Sequence, residues 1–274
     1  EITTRLVGSE MCIRDRITID GVEDIHNERK PHYRNKDSFA KITSNVDSLL
    51  KLGISVSIRI NTDPYTMERA DELLDYFKEK GWLQYQNFKA YYALLRKEVP
   101  IKGENGEYSK EMFTQSSFFC TYLQKGLEKQ GCGKVMCQDY SVRSVLTNML
   151  LGKSTPYKSH FCGAQSGMII FDPLGDIYSC WDVVGQREYR VGHYMPDFVL
   201  EDTFADKWFD SRVSKFSCIK CKYVLFCGGG CLANAIRTTG NLQSGTCNDY
   251  SRLFNAEIKY IYCLLYTSDA ADDT

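Results

Sequence analysis

The sequence predicts an α/β protein: half of a parallel-stranded barrel, followed by a small cysteine-rich domain built around a β-hairpin. Three observations carry this reading. Strand-like and helix-like periodicities alternate from Ile17 to Leu95. No cysteine occurs between Ile17 and Phe119, whereas seven fall between Cys162 and Cys247. Five of these seven form one run, Cys218, Cys221, Cys227, Cys231 and Cys247, patterned C-x2-C-x5-C-x3-C-x15-C, with Gly228-Gly229-Gly230 in its last short gap. Thiolates at such spacings lie within reach of a soft metal centre, and glycine-rich turns let the backbone wrap it.

Taken in order, Ile17-Thr18-Ile19 is a short β-like run ended by the turn signal Asp20-Gly21. Asp37 is placed to cap a helix in which Phe39, Ile42, Val46, Leu49 and Leu50 recur at helical spacing, and Gly53 stops it. Ile54 to Ile60 alternates as a strand. Asp63-Pro64 opens a helix to about Lys80, followed by Gly81, and Phe88–Leu95 reads as a third strand. The order strand–helix–strand–helix–strand implies parallel strands with right-handed crossovers. Ligands of such sheets sit at the C-terminal strand ends, which puts Asp20 and Asn61 on the chemical face. Residues 98–108 read as a polar loop, Ser109–Gln130 and Ser141–Leu151 as helices. Met168–Phe171 and Ile177–Cys180 flank an Asp172–Asp176 turn and form a hairpin. No repeat or low-complexity segment is present.

The ends of the chain have a separate origin. Met11-Cys12-Ile13-Arg14-Asp15 can be coded ATG TGT ATA AGA GAC, followed by an A. The reverse complement of that DNA, read in another frame, gives Cys-Leu-Leu-Tyr-Thr, the sequence at 263–267. It looks like the transposon end used in sequencing-library adaptors. Residues 1–15 and 263–274 are therefore expected to be adaptor-derived and are set aside. The native part, 16–262, is expected to be an insert from a longer gene, with a domain boundary at 155/156.

The whole chain carries a net charge of −1. The native part is slightly positive, which argues for neither a nucleic-acid surface nor an acidic tail. No apolar run approaches the ~20 residues that cross a bilayer. Its cysteines suit either disulfides or metal ligation. Their uneven distribution, in a chain with ample Leu, Ile, Phe and Tyr for a core, favours metal.

Cys162, twelve residues, Gly175, four residues and Cys180 complete the pattern, since a hairpin returns its two ends to one place. The whole, C-x12-G-x4-C, a gap, C-x2-C-x5-C-x3-C, a gap and C, resembles the SPASM domain at the C-terminus of many radical S-adenosylmethionine (SAM) enzymes. Upstream, Thr18-Ile19-Asp20-Gly21 with His26, Asn27 and Arg29 looks like the Ser/Thr-x-Asp-Gly…His-Asp-x-x-Arg segment at the fourth barrel strand of those enzymes. Asn27 replaces the aspartate, and Arg29 comes one residue early. The family's C-x3-C-x2-C loop, which binds the SAM-cleaving cluster, would lie before this point, where adaptor sequence stands.

The resemblance implies the C-terminal half of a partial (β/α)6 radical SAM barrel at 16–155 and a SPASM iron–sulfur domain at 156–262. It implies two auxiliary [4Fe–4S] clusters, the first on Cys162, Cys180 and Cys231, the second on Cys218, Cys221, Cys227 and Cys247. A third cluster and SAM would involve the segment upstream. Cys120, Cys132 and Cys137 are candidates for the open position of the first set, or ordinary buried thiols. Thr18 and Arg29 match positions that contact SAM, and strand-end packing or a surface ion pair accounts for them equally well. Asp182 corresponds approximately to a catalytic acidic residue of anaerobic sulfatase-maturating enzymes, although Trp181 intervenes between it and Cys180. Such enzymes generate a 5′-deoxyadenosyl radical that abstracts a substrate hydrogen. The implied partners are a peptide or protein substrate and a reductant such as ferredoxin or flavodoxin, in the cytoplasm, with no nucleic acid and no membrane. The rival readings are a structural zinc module, since C-x2-C pairs are common zinc ligands, and an electron-transfer iron–sulfur protein without SAM chemistry. The chain by itself is expected to be inactive.

Overall fold

A computed structural model describes residues 14–95, 113–138, 142–155, 157–202, 204–247 and 249–272. β1 (Arg14–Thr18), β2 (Ser55–Thr62), β3 (Phe88–Leu94) and β4 (Val135–Cys137) form a parallel sheet in that order. Arg14 pairs with Ser55, Val56 with Phe88, and Ala90 with Val135. β1 begins inside the segment expected to be adaptor-derived. Backbone groups alone make a ladder, so Arg14 and Asp15 extend it whatever their origin.

The alternation read in β2 is the alternation of its burial. Val56, Ile58, Ile60 and Thr62 are buried, while Ser57, Arg59 and Asn61 occupy the other face. Helices cover the apolar face. After α1 (Glu23–Arg29), α2 (Phe39–Lys51) packs Phe39, Val46 and Leu50 inward. Its first turn is held by two side chains: Asn27 Oδ1 accepts from the Ser38 and Phe39 amides, both at 2.9 Å, and Asp37 Oδ1 from the Ala40 amide at 3.2 Å. Asn27, where the resembled pattern has aspartate, thus serves as a helix cap.

Asp63 Oδ1 accepts from the Thr66 amide at 2.8 Å and opens α3 (Pro64–Glu68), which continues past an interruption at Arg69 as α4 (Ala70–Glu79). Phe77, Trp82 and Phe88 are fully buried and stack where α4 turns back into β3. The single helix expected over Ser109–Gln130 is instead α5 (Gln115–Gln124) and α6 (Leu127–Gln130), because Gly126 takes a left-handed φ of 64° between them. Residues 109–112 and the loop expected at 98–108 lie outside the described residues. The short β4 was not anticipated from the sequence.

α7 (Val142–Leu150) begins the second of two compact units, which divide at 139/140. That is ahead of the expected boundary at 155/156, because α7 packs along the last helix of the second unit. β5 (Ile170–Phe171) and β6 (Asp176–Tyr178) are the expected hairpin, its turn built by Asp172 Oδ1 accepting from the amides of Leu174 (2.8 Å) and Asp176 (2.9 Å). The two-residue strands β7 (Gly192–His193) and β8 (Val199–Leu200) extend it to a four-stranded antiparallel sheet. α8 (Val224–Cys227), α9 (Leu232–Thr239) and α10 (Tyr250–Asp272) follow. Tyr178, Trp208, Phe216 and Leu232 anchor this unit's core. No helix among the described residues is long and apolar enough to cross a membrane.

The exit from β1 depends on His26, which is fully buried. Its Nδ1 accepts from the Asp20 amide at 3.0 Å, and its Nε2 has no hydrogen-bond partner among the described residues. Burial holds its pKa below the ordinary value of 6.5; the Asp20 charge opposes this and Lys30 adds to it. Below the ordinary value the unfolded chain therefore binds more protons than the folded one, and stability falls as pH falls through that value. We expect the Tm of the whole protein to drop between pH 7.5 and 5.5 more steeply than that of His26→Asn, whose Oδ1 can still accept the Asp20 amide. Equal slopes would contradict this role.

Candidate functional site

Two places gather chemistry-bearing side chains. The first is the C-terminal edge of the parallel sheet. Thr18 ends β1 opposite Arg59. Asp20, just beyond, is buried; its carboxylate accepts from Asn61 Nδ2 at 2.8 Å and lies 3.3 Å from Lys30 Nζ. Asn61 Oδ1 in turn accepts from Arg59 Nε at 2.9 Å. Asp20 and Asn61 therefore meet on the face where the sheet topology placed them. Arg29 spends its guanidinium within the protein: Nη2 meets Asp63 Oδ2 at 2.6 Å, and Nη1 donates to Thr66 Oγ1 at 2.8 Å and to the Asn61 carbonyl at 3.3 Å. Burial works to raise the Asp63 pKa, but Arg29 and the Thr66 amide outweigh it and hold the carboxyl below the usual carboxylate value.

The second place is the cysteine-rich unit. Cys162 precedes the turn at Gly163–Gln165, and Cys180 follows β6, so the hairpin brings both arms to one end. Cys231 is the residue that immediately precedes α9. Burial pushes the Cys180 thiol up to about 11; the Asp182 amide, bonded to the sulfur, opposes that, while the charges of Asp182, Cys231 and Cys162 add to it. Cys162, Cys180 and Cys231 thus stand in one electrostatic neighbourhood.

Cys218, Cys221, Cys227 and Cys247 form another. Burial raises the pKa of Cys218, with Cys221 and Cys247 adding to it, and also that of Cys227, with Cys218, Cys221 and Cys247 adding. Backbone N–H groups act in the opposite sense: Gly229 donates to Cys227 Sγ at 3.2 Å. Among the described residues no three His, Cys, Asp or Glu side chains stand close enough to hold a metal ion. Each set is therefore a gathering of thiols within electrostatic range, not a closed single-ion cage.

The glycine run explains how the arms converge. Gly228, Gly229 and Gly230 all have left-handed φ values, 71°, 84° and 86°. A Cβ on Gly228 would lie 2.4 Å from the His160 carbonyl oxygen, beside Cys162 in sequence. One on Gly229 would lie 2.4 Å from the Phe216 ring, on the approach to Cys218, and one on Gly230 2.0 Å from the Thr246 oxygen, beside Cys247. Each glycine seats a different cysteine arm. Gly245 plays a related part, since a Cβ there would meet Cys218 Sγ at 2.6 Å.

Asp182 sits in the short turn after Cys180, its Oδ2 3.8 Å from Arg237 Nη2 on α9. Cys120 lies half-buried in α5, Cys132 is exposed in a Gly-Cys-Gly turn, and Cys137 is buried at the end of β4; all three belong to the first unit. Gln165, Arg237, Gly245 and Thr246 were not singled out from the sequence. Only Gln165 carried a signal, a side chain able to cap three residues after Cys162.

No protein-family model matches the chain. It is 22% identical over 268 residues to the serine-type anaerobic sulfatase-maturating enzyme of Bacteroides thetaiotaomicron, covering 89% of this chain and 62% of that one. It is 23% identical over 223 residues to a cysteine-type anaerobic sulfatase-maturating enzyme of Clostridium perfringens, covering 78% and 57%. The chain thus spans about three fifths of the length of these curated relatives. Among solved structures, anSMEcpe with bound AdoMet and a peptide superposes with a TM-score of 0.60 at 19% identity, covering 95% of this chain and 70% of that one. Streptococcus suis SuiB bound to S-adenosylmethionine gives 0.54 at 12% identity, covering 85% and 52%. At these identities the structural likeness shows a shared fold. By sequence, the chain is homologous to the anaerobic sulfatase-maturating enzymes, along most of its own length.

Proposed function

We propose that this chain is the C-terminal part of the barrel and the auxiliary-cluster domain of a radical SAM enzyme that modifies a peptide or protein side chain. The observation that carries the reading is the division of seven thiols into a neighbourhood of three and a neighbourhood of four. Seven soft donors so divided suit one complete four-thiolate site and one site with an open position. Backbone amides aimed at Cys180 and Cys227 would offset the negative charge of loaded clusters.

When bound, the SAM-cleaving cluster with SAM supplies the radical that takes a hydrogen from substrate, and the protein's part is placement and exclusion of water. Cys162, Cys180 and Cys231 would hold the first auxiliary cluster, and Cys218, Cys221, Cys227 and Cys247 the second. Thr18 and Arg29 would address SAM at the sheet edge. The pairing of Arg29 with Asp63 fixes its guanidinium at the exit of β2. Asp182 would accept the proton released from the substrate, its Oδ2 lying 3.8 Å from Arg237 Nη2. A reductant such as ferredoxin or flavodoxin would supply electrons, and oxygen-sensitive clusters point to a reducing cytoplasm. Relatives of serine type and cysteine type make a peptide Ser or Cys side chain the leading substrate class.

Anaerobic reconstitution of the whole protein is expected to give about twelve irons per chain, four for each of three clusters; fewer than about eight with bound zinc would sink the reading in favour of a zinc module. Gly245→Ala, whose Cβ displaces Cys218 Sγ, is expected to lose roughly four of those irons, and an unchanged count would remove Cys218 from the site. Asp182→Asn should keep its iron while turnover falls about 10²–10⁴-fold; undiminished turnover would assign the proton to another group. The chain alone, lacking the SAM-cluster loop, is expected not to cleave SAM.

A further inference from the structure

Gln165 is fully buried and has no place in the chemistry above, yet its amide bonds both the backbone at Cys162 and the arm that leads to Cys218. Oε1 accepts from the amides of Phe161 (2.9 Å) and Cys162 (3.4 Å), fixing the backbone that carries the first cysteine of the three-thiol set. Nε2 donates to the Ser211 carbonyl at 2.5 Å. Ser211 is itself buried and opens the arm that runs through Val213 and Phe216 into Cys218 of the four-thiol set. Phe216 then closes on Gly229. A second side chain makes the same crossing from the other side. The Thr246 amide donates to the Gly229 carbonyl at 2.9 Å, and its hydroxyl donates to the Cys231 carbonyl at 3.1 Å, so the residue before Cys247 is bound to a cysteine of the other set.

We propose that Gln165 is a positioning residue that couples the two thiolate sets, so that each is assembled in register with the other, with Thr246 as the matching tie. This rests on the auxiliary-cluster reading. A buried amide that accepts twice on one arm and donates on the other cannot be replaced on one side alone without leaving a polar group unsatisfied. Cysteine substitutions remove ligands but leave both ties in place, whereas a change at Gln165 keeps all seven ligands and removes the tie.

The test uses the whole protein, reconstituted anaerobically, with iron and sulfide counts, EPR spectra of the reduced clusters, and circular dichroism of the apo-protein as the fold control. Cys180→Ala is expected to lose roughly four irons and leave the EPR signal of the four-thiol set unchanged. Gln165→Leu should lose more than that, with the signals of both sets diminished. Gln165→Glu, which still accepts from Phe161 and Cys162 but turns an oxygen toward Ser211, should keep the first signal and lose the second. Gln165→Leu matching wild type or Cys180→Ala in count and spectrum overturns the coupling while leaving the clusters in place. If Gln165→Leu does not fold, Thr246→Val carries the test: both signals weakened supports the coupling, and unchanged spectra overturn it. A wild-type protein that takes up zinc instead of iron overturns the cluster reading, and the proposal with it.

Discussion

The close approach of the Gly228–Gly230 backbone to three neighbouring segments is the contact on which the cysteine-rich unit depends. Four short arms must end within reach of one another, and none is long enough to supply a core of its own. Side chains between them would hold them apart by more than a cluster could bridge. Glycine removes that spacer, and its left-handed φ turns the chain through three steps without strain. The hairpin arm, the Phe216 arm and the Thr246 arm then rest directly on backbone.

That convergence has an electrostatic cost. Thiols drawn from water and set beside one another resist ionisation, first through burial and then through mutual repulsion, as Cys180, Cys218 and Cys227 show. The opposing contributions come from the backbone: the Asp182 amide at Cys180 and the Gly229 amide at Cys227. A gathering of raised-pKa thiols gains its stability when a cation replaces the protons, which couples binding to folding. The sheet edge works differently. There Arg29 pairs with Asp63 and Lys30 with Asp20, Asn61 donates to the Asp20 carboxylate, and the strand exits are already fixed.

Much of this was legible in the residues because the signals were local. β2 alternates strictly, and Asp63-Pro64 and Gly53 mark helix ends by their own backbone chemistry. The hairpin followed from its Asp-Pro-Leu-Gly-Asp turn. What was missed was either too short to have a period or settled by distant partners. β4, β7 and β8 are three and two residues long, below any alternation. α7 reads as a helix but not as a member of the second unit, because its assignment rests on packing against α10 more than a hundred residues away. Gln165 and Thr246 are ordinary polar residues whose importance lies in which carbonyls they reach. The family resemblance implied how the thiols divide, but nothing in the sequence told what holds the two groups together.

The central claim is that seven cysteines make two separate centres of one interlocked unit. The most direct test is the iron count of the double variant Cys180→Ala/Cys221→Ala in the whole, anaerobically reconstituted protein. Two centres predict that the losses of the single variants add, leaving about four irons, those of the remaining cluster. A double variant that retains as much iron as either single one would mean that Cys180 and Cys221 serve one shared site, and would contradict the account.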